Sequence, residues 1–279
     1  MTPAARGQTA IRNRVLALCA AATLTLLAAG CGQDAIDEGA DTRPPVTTRP
    51  VDLAALAALP EATTFGVVDS APTDAALGDA GDGTAGGDLV IRPEEELPVY
   101  DTEGGEAIAR LPVTQLGSPT WLPVVEQRGD WYHVLLPSKP NNSSGWLNAA
   151  DGAVTEATNA FRVIVDVDEF SLAVLESGTE IGRWTVGVGS SEAPTPLGRT
   201  FLLASIEETV SEFSRYTLPL GTHSEVLETY SDGPATVAIH GWPDETPFGT
   251  ETSDGCVRVP DAAMDLLLTL PLGTVVDIR

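Results

Sequence analysis

Through the second half of the chain apolar and polar residues alternate with period two, the signature of strands wet on one face. "FRVIVDV", "SLAVLE" and "EIGRWTVGVG", between Phe161 and Gly189, predict a meander broken at "DVDEF" and "ESGTE". "SSEAPTPLGRTFLLASI" predicts a proline-rich turn leading into a strand, since proline is expelled from ladder interiors. "ATVAIH" predicts a buried strand ending at His240. "PDAAMDLLLTLPLG" places proline at a helix start and glycine past its stop, and "TVVDIR" follows as a terminal strand. From Glu207 to Asp232 the pattern is poor and predicts loop.

Upstream, from Leu89 to about Val154, the runs "LPVYD", "AIARLP", "TWLPVVEQ", "DWYHVLLP" and "SGWLNAAD" alternate with the turn clusters "TEGGE", "RGD" and "PNNSSG". Short strands at this spacing suit a small barrel. Trp121, Trp131, Tyr132 and Trp146 are candidates for a ligand groove or for barrel core, and His133 for a solvent-facing position on an alternating strand. Between Gly32 and Asp88 the chain is dominated by Ala, Asp, Gly, Thr and Pro, which predicts a disordered tether of ~40 Å root-mean-square span. Within it only "VDLAALAALP" has the makings of a brief helix.

Composition changes the picture in two places. The chain holds 40 acidic against 15 basic residues, a formal net charge of -25, so nucleic acid and anionic lipid are poor partners for its surface. The first thirty residues place Arg6, Arg12 and Arg14 before the apolar run "VLALCAAATLTLLAAG", an export signal too short and too alanine-rich for a membrane span. The run ends in "LAAGC", which resembles the lipobox of bacterial lipoproteins and implies lipidation at Cys31. The competing reading is a plain cleaved signal with an incidental cysteine. Either way the expected location is extracytoplasmic, and with the lipid it is a membrane-anchored lipoprotein at the cell envelope.

Export raises the question of cysteine. Of three, Cys19 leaves with the signal and Cys31 carries lipid, so Cys256 has no disulfide partner and chemistry is favoured over stapling. His240 precedes it in "AIHGWPDETPFGTETSDGCVRV". A cysteine nucleophile needs a base and a donor pair for the oxyanion. A strand-end histidine and a cysteine in a glycine turn supply both. An imidazolium partner would lower the thiol pKa toward neutrality.

"IHG", then a cysteine in "SDGCVR", resembles the signature of the YkuD-type L,D-transpeptidases, HG followed by S-x-G-C-(V/I)-(R/N). "VDVDEFSLAVLESGTEIGRWTVGVGSSEAPTPLGRTFLL" is similar to the family's opening hairpin and T-P-x-G turn, and the resemblance covers Asn159 to Arg279. The pieces "LPVY", "GDWYHVLLP" and "SSGWLN" resemble a bacterial SH3-like (SH3b) module. The implied fold class is mainly β: a small SH3-like β-barrel followed by a YkuD-type β-sandwich with one short helix. The implied division is a lipoprotein signal over 1–31, the tether over 32–88, the SH3b-like domain over 89–155 and the catalytic domain over 159–279.

The resemblance implies cell-wall acyl transfer. Cys256 would attack the carbonyl before the terminal D-alanine of a peptidoglycan stem tetrapeptide, with His240 as base. The thioester would pass to an amine of a second stem, giving a 3→3 cross-link. Ser253, Gly255 and Arg258 would shape the oxyanion site and substrate groove, and Gly241 would follow the histidine as in the family. Asp254 stands where many members carry histidine, and Trp242 where a small or polar residue is usual. No metal or organic cofactor is implied. The implied partners are peptidoglycan stem peptides, the membrane through the lipid anchor, and carbapenem-type inhibitors. Water, a D-amino acid or a protein amine as acceptor would give carboxypeptidase, exchange or anchoring activity. A non-catalytic wall-binding lipoprotein is the remaining alternative.

Overall fold

A computed structural model describes residues 51–73, 88–209, 213–230 and 233–279. All of them fall in one compact unit, Pro45–Arg279. The chain is mainly β, as the alternation predicts. The export signal, Cys31 and the remainder of the tether reading, 32–50 and 74–87, lie outside the described residues.

Nine strands precede residue 159: β1 (Leu89–Pro93), β2 (Leu97–Tyr100), β3 (Ala107–Leu111), β4 (Thr114–Gln115), β5 (Ser118–Pro119), β6 (Leu122–Arg128), β7 (Trp131–Leu135), β8 (Ser144–Asn148) and β9 (Val154–Thr158). Seven of them form one antiparallel sheet in the order β3-β2-β8-β7-β6-β1-β9. It does not close into the expected barrel, because β3 and β9 remain its edges. The outer edge of β3 is occupied instead by the segment upstream. The Ala62 amide donates to the Arg110 carbonyl (2.8 Å) and the Arg110 amide to the Pro60 carbonyl (2.9 Å).

This corrects the tether expectation for residues 51–73. Helix α1 (Leu53–Ala57) opens the segment, capped by Asp52, whose side chain accepts from the Ala55 amide at 2.7 Å. Ala62, Val68 and Ala71 then bury themselves in the core of the first sheet. The strap is stitched along its length, with the Val68 amide donating to the Lys139 carbonyl and the Ser144 amide to the Pro72 carbonyl. Gly66 permits the close turn: a Cβ there would sit 1.8 Å from the Glu61 carbonyl oxygen.

Trp131, Tyr132 and Trp146 are core. Tyr100 meets Trp131 edge to face, His133 stacks on Trp146 at 4.7 Å rather than facing solvent, and Val51 of the strap packs against this aromatic cluster. Trp121 is half-buried beneath the Arg92 guanidinium.

The remaining strands are β10 (Phe161–Asp166), β11 (Ser171–Glu176), β12 (Thr179–Thr185), β13 (Val188–Gly189), β14 (Gly198–Phe201), β15 (Ile206–Glu207), β16 (Tyr216–His223), β17 (Thr236–Gly241), β18 (Glu251–Ser253), β19 (Val257–Val259) and β20 (Val275–Ile278). A five-stranded sheet, β12-β11-β10-β20-β14, and a four-stranded sheet, β15-β16-β17-β19, share one core. Val163, Val165, Leu172 and Val174 enter it from the first, and Leu218, Leu220, Val237, Ile239, Val257 and Val259 from the second. Helix α2 (Asp261–Leu267) lies where the proline-to-glycine punctuation predicts and adds Ala263, Met264 and Leu267. Phe201 and Leu203 are buried in the core of the seven-stranded sheet, so side chains on either side of residue 159 interdigitate.

His223 fastens the strap to β16. It is 1% exposed, and its Nε2–H donates to the Thr64 carbonyl at 2.7 Å, while Asn141 binds both its backbone amide and its carbonyl. Burial pulls the His223 pKa below the usual imidazole range, aided by the charge of Lys139 and opposed by the Thr64 bond. The unfolded chain therefore takes up protons first as pH falls below about 6.5. Stability from this group is complete above that pH and lost progressively below it. Urea midpoints at pH 7.5 and 5.5 should differ more in the wild type than in a His223→Gln variant; an equal difference would show that His223 is not the coupled group.

Candidate active site

Strands β17 and β19 run parallel in the register Ile239↔Val257, His240↔Arg258, Gly241↔Val259. Alternation sends Val237, Ile239, Val257 and Val259 into the core, where each is at most 1% exposed. Ala238, His240, Cys256 and Arg258 therefore share the opposite face, and all four line a cavity of about 650 Å³. Cys256 sits one residue ahead of β19, so its thiol and the imidazole of His240 are diagonal neighbours on that face. Two apolar positions per strand anchor the pair.

The turn that carries Cys256 is held from both sides. Gly255 has φ +108°, a region open to glycine, although a Cβ would meet nothing nearer than the Pro194 carbonyl at 3.5 Å. Conformation, then, demands glycine here more than space does. Thr195 Oγ1 donates to the Gly255 carbonyl (3.0 Å) and accepts from the Gly189 amide (2.9 Å), so the proline-rich turn locks the cysteine turn from outside. Ser253, 2% exposed, donates through Oγ to the Cys256 carbonyl (2.5 Å) and accepts from the Gly255 amide (3.2 Å). The oxyanion role expected of the Gly255 amide is thus corrected in part: that N–H is engaged inside the turn.

On the other strand, Nδ1–H of His240 donates to the Gly241 carbonyl at 2.8 Å. A carbonyl can only accept, so the proton sits on Nδ1 and Nε2 keeps its lone pair. The same glycine is steadied on its amide side: the Gly241 amide donates to Ser214 Oγ (2.8 Å), and Ser214 donates to the Tyr216 carbonyl (2.5 Å).

Electrostatics differ from the expected thiolate–imidazolium pair. Burial pushes the Cys256 thiol up, against a backbone hydrogen bond with Ala238 and the positive charge of Arg258, and Asp254 pushes it further up. Burial pulls His240 below the ordinary imidazole range, with Arg258 acting in the same direction and the Gly241 bond opposing. Both groups rest neutral near pH 7, an arrangement suited to proton transfer during attack.

The structure brings Cys256, His240, Ser253, Asp254 and Arg258 into one cavity, while Gly241 and Gly255 act through their backbones. Sequence reasoning missed part of the wall. Phe213, Ser214, Leu227 and Tyr230 line the same cavity from the stretch 207–232, where no periodic signal marks them and where the loop expectation is corrected by β16 (Tyr216–His223), which pairs with β17. Trp242 also lines it, stacked on Phe213 with centroids 5.0 Å apart. Among the described residues no group of three or more His, Cys, Asp or Glu is placed to hold a metal ion. No described helix is long and apolar enough to cross a membrane.

Residues 160–278 match the family model of the YkuD L,D-transpeptidase catalytic domain. No curated protein matches the chain. Among solved structures it is similar to the catalytic domain of the Enterococcus faecium L,D-transpeptidase, at 18% identity over 44% of this chain and 98% of that one, TM-score 0.35. It is also similar to an L,D-transpeptidase from Mycobacterium smegmatis, at 13% identity over 57% and 82%, TM-score 0.39. L,D-transpeptidase 3 of Mycobacterium tuberculosis, solved with a faropenem-derived adduct, aligns at 14% identity over 50% and 75%, TM-score 0.38.

Proposed function

We propose that the protein is a cysteine L,D-transpeptidase acting on peptidoglycan stem peptides outside the cytoplasm. One observation carries this: Cys256 and His240 lie on one face of the β17–β19 pair, in one cavity, with Nδ1 of the histidine held by the Gly241 carbonyl. The match of residues 160–278 to the transpeptidase family supports the same reaction class.

In the proposed reaction Nε2 of His240 takes the thiol proton as Sγ of Cys256 bonds to the carbonyl carbon before the terminal D-alanine. The Cys256 amide faces the oxyanion. Collapse breaks the C–N bond, and the imidazolium of His240 protonates the departing amine. A side-chain amine of a second stem then attacks the thioester, its proton passing to His240, and the sulfur leaves as a thiol by taking that proton from the imidazolium. Purified muropeptides, with D-alanine release and dimer formation scored separately, test this. Release with no dimer would move the reading to hydrolysis or exchange. Neither product, from folded protein with a reduced thiol, would overturn it.

The neutral resting pair predicts a pH profile. Acylation needs His240 unprotonated to take the thiol proton, and needs that proton still held by the pair for delivery to the leaving amine, so the rate of Cys256 acylation should plateau between the lowered imidazole pKa and the raised thiol pKa. The acid limb is expected below pH 6.5 and the alkaline limb above pH 9, measured by stopped-flow acylation. A half-maximal rate at pH 7 or above on the acid side would contradict a buried neutral base.

The strap and the seven-stranded sheet are proposed to position substrate and contribute no reacting group. The lipid anchor at Cys31 stays part of the proposal: a Cys31→Ser variant should leave the membrane fraction, and unchanged fractionation would refute lipidation.

A further inference from the structure

Nine arginines lie among the described residues, and eight of them ion-pair with a carboxylate. The ninth, Arg258, ion-pairs with none of the described carboxylates, in a chain holding 40 acidic residues. It lines the cavity beside Cys256, where Glu208 and Asp254 are the other charged residues, so it is the cavity's one guanidinium. What holds it is the flat face of Trp242, 3.9 Å from the guanidinium carbon, together with the Thr252 carbonyl and hydroxyl, which accept from Nη1 at 3.2 and 3.3 Å. Its Nε is shielded from solvent with no hydrogen-bond partner. Phe213 stacks on Trp242 almost in parallel, at 11°.

A partly buried cation held on an aromatic ring, with donor capacity unspent, suits a planar anion. Arg258 is the next residue after Cys256 on the cavity face, about 6.6 Å along the strand at the usual rise. A group one residue from the carbonyl under attack falls within reach of the side chain. We propose that Arg258, positioned by Trp242 and through it by Phe213, binds a carboxylate of the acyl-donor peptide, and that this contact selects donors. This rests on the acyl-transfer reading above. Two carboxylates of a stem tetrapeptide have the required chemistry: the C-terminal one on the leaving D-alanine, and the side-chain one on a diamino diacid in third position. Glu208 and Asp254 share the cavity and disfavour a second anion site there.

The test uses the full chain and four synthetic tetrapeptides, with each carboxylate free or amidated in turn. Acylation of Cys256 is followed by mass, and alkylation by uncharged iodoacetamide reports on the thiol itself. Wild type should acylate about 10- to 100-fold faster from peptides bearing the recognised carboxylate than from its amide, since charge-assisted hydrogen bonds discriminate on that scale. Which amide is slow identifies the carboxylate. Arg258→Ala should react equally slowly with both while iodoacetamide still labels it. Arg258→Lys, which keeps the charge and loses the planar fork, should recover part of the ratio. Trp242→Ala should lower the ratio mainly through KM, with kcat less affected, as befits a positioning residue.

Wild type that acylates free and amidated donors at equal rates overturns the inference and leaves acyl transfer standing. Discrimination that survives Arg258→Ala does the same. If none of the four peptides acylates a wild type that iodoacetamide labels, the reaction class and this inference fall together.

Discussion

Incubated with a carbapenem, the wild-type protein is expected to gain the mass of one whole drug molecule, carried on the peptide containing Cys256. The strained lactam carbonyl presents the electrophile that the amide would, and ring opening ejects no fragment. Sγ bonds to the carbonyl carbon, the C–N bond breaks, and the ring nitrogen takes the proton that His240 accepted from the thiol. Cys256→Ala should show no adduct. Cys256→Ser should fail as well, because a hydroxyl needs far more activation than a thiol. His240→Ala should slow adduct formation by about 10²- to 10⁴-fold, the usual contribution of a positioned base. Intact-protein mass followed by peptide mapping decides the matter, and an unchanged wild-type mass in folded, reduced protein would remove Cys256 as nucleophile.

The second large effect concerns stability at a place remote from chemistry. Asp277 on β20 is 3% exposed and receives Arg199 Nε at 2.7 Å from β14 and Arg162 Nη1 at 2.8 Å from β10, so one carboxylate ties together the three adjacent strands. Arg199 is itself 4% exposed. Removing the shared carboxylate leaves that charge in a low-dielectric setting, a loss on the order of 3–5 kcal/mol. Asp277→Ala should lower the denaturation midpoint accordingly. Asp277→Asn, which keeps an acceptor but not the charge, should cost less. A change below about 1 kcal/mol for the alanine variant would mean that solvent or other groups replace the carboxylate readily.

The elements legible in the sequence are those set by near neighbours. Val163 and Val165 between Arg162 and Asp166, or Val237 and Ile239 between Thr236 and His240, recur with period two, and a strand with one face in the core follows from that spacing. Pro260 and Gly273 bracket α2 because proline tolerates a helix start and glycine turns the chain beyond its stop. Cysteine arithmetic singles out Cys256, an exported chain having no spare partner for it, and the glycine ahead of the sulfur marks a turn, whose positive φ at Gly255 the fold then shows. His240 and Cys256 were found by their motif, and the chemical types at the site need no tertiary information.

Tertiary structure decided what depends on residues far along the chain. The last strand, β20, enters between β10 and β14, parallel to one and antiparallel to the other, and no local pattern specifies that choice. Residues 51–73 look like a tether because small apolar residues have no face of their own; Ala62, Val68 and Ala71 acquire one only against a sheet formed later in the chain. Phe213 and Tyr230 sit in a stretch without periodicity and become a cavity wall only where β17 and β19 bring His240 and Cys256 opposite them. The charge state of the pair was decided last and in the same way. An imidazole beside a thiol suggests an ion pair, but burial penalises both charges at once, and burial is a property of the folded chain rather than of any ten residues in it.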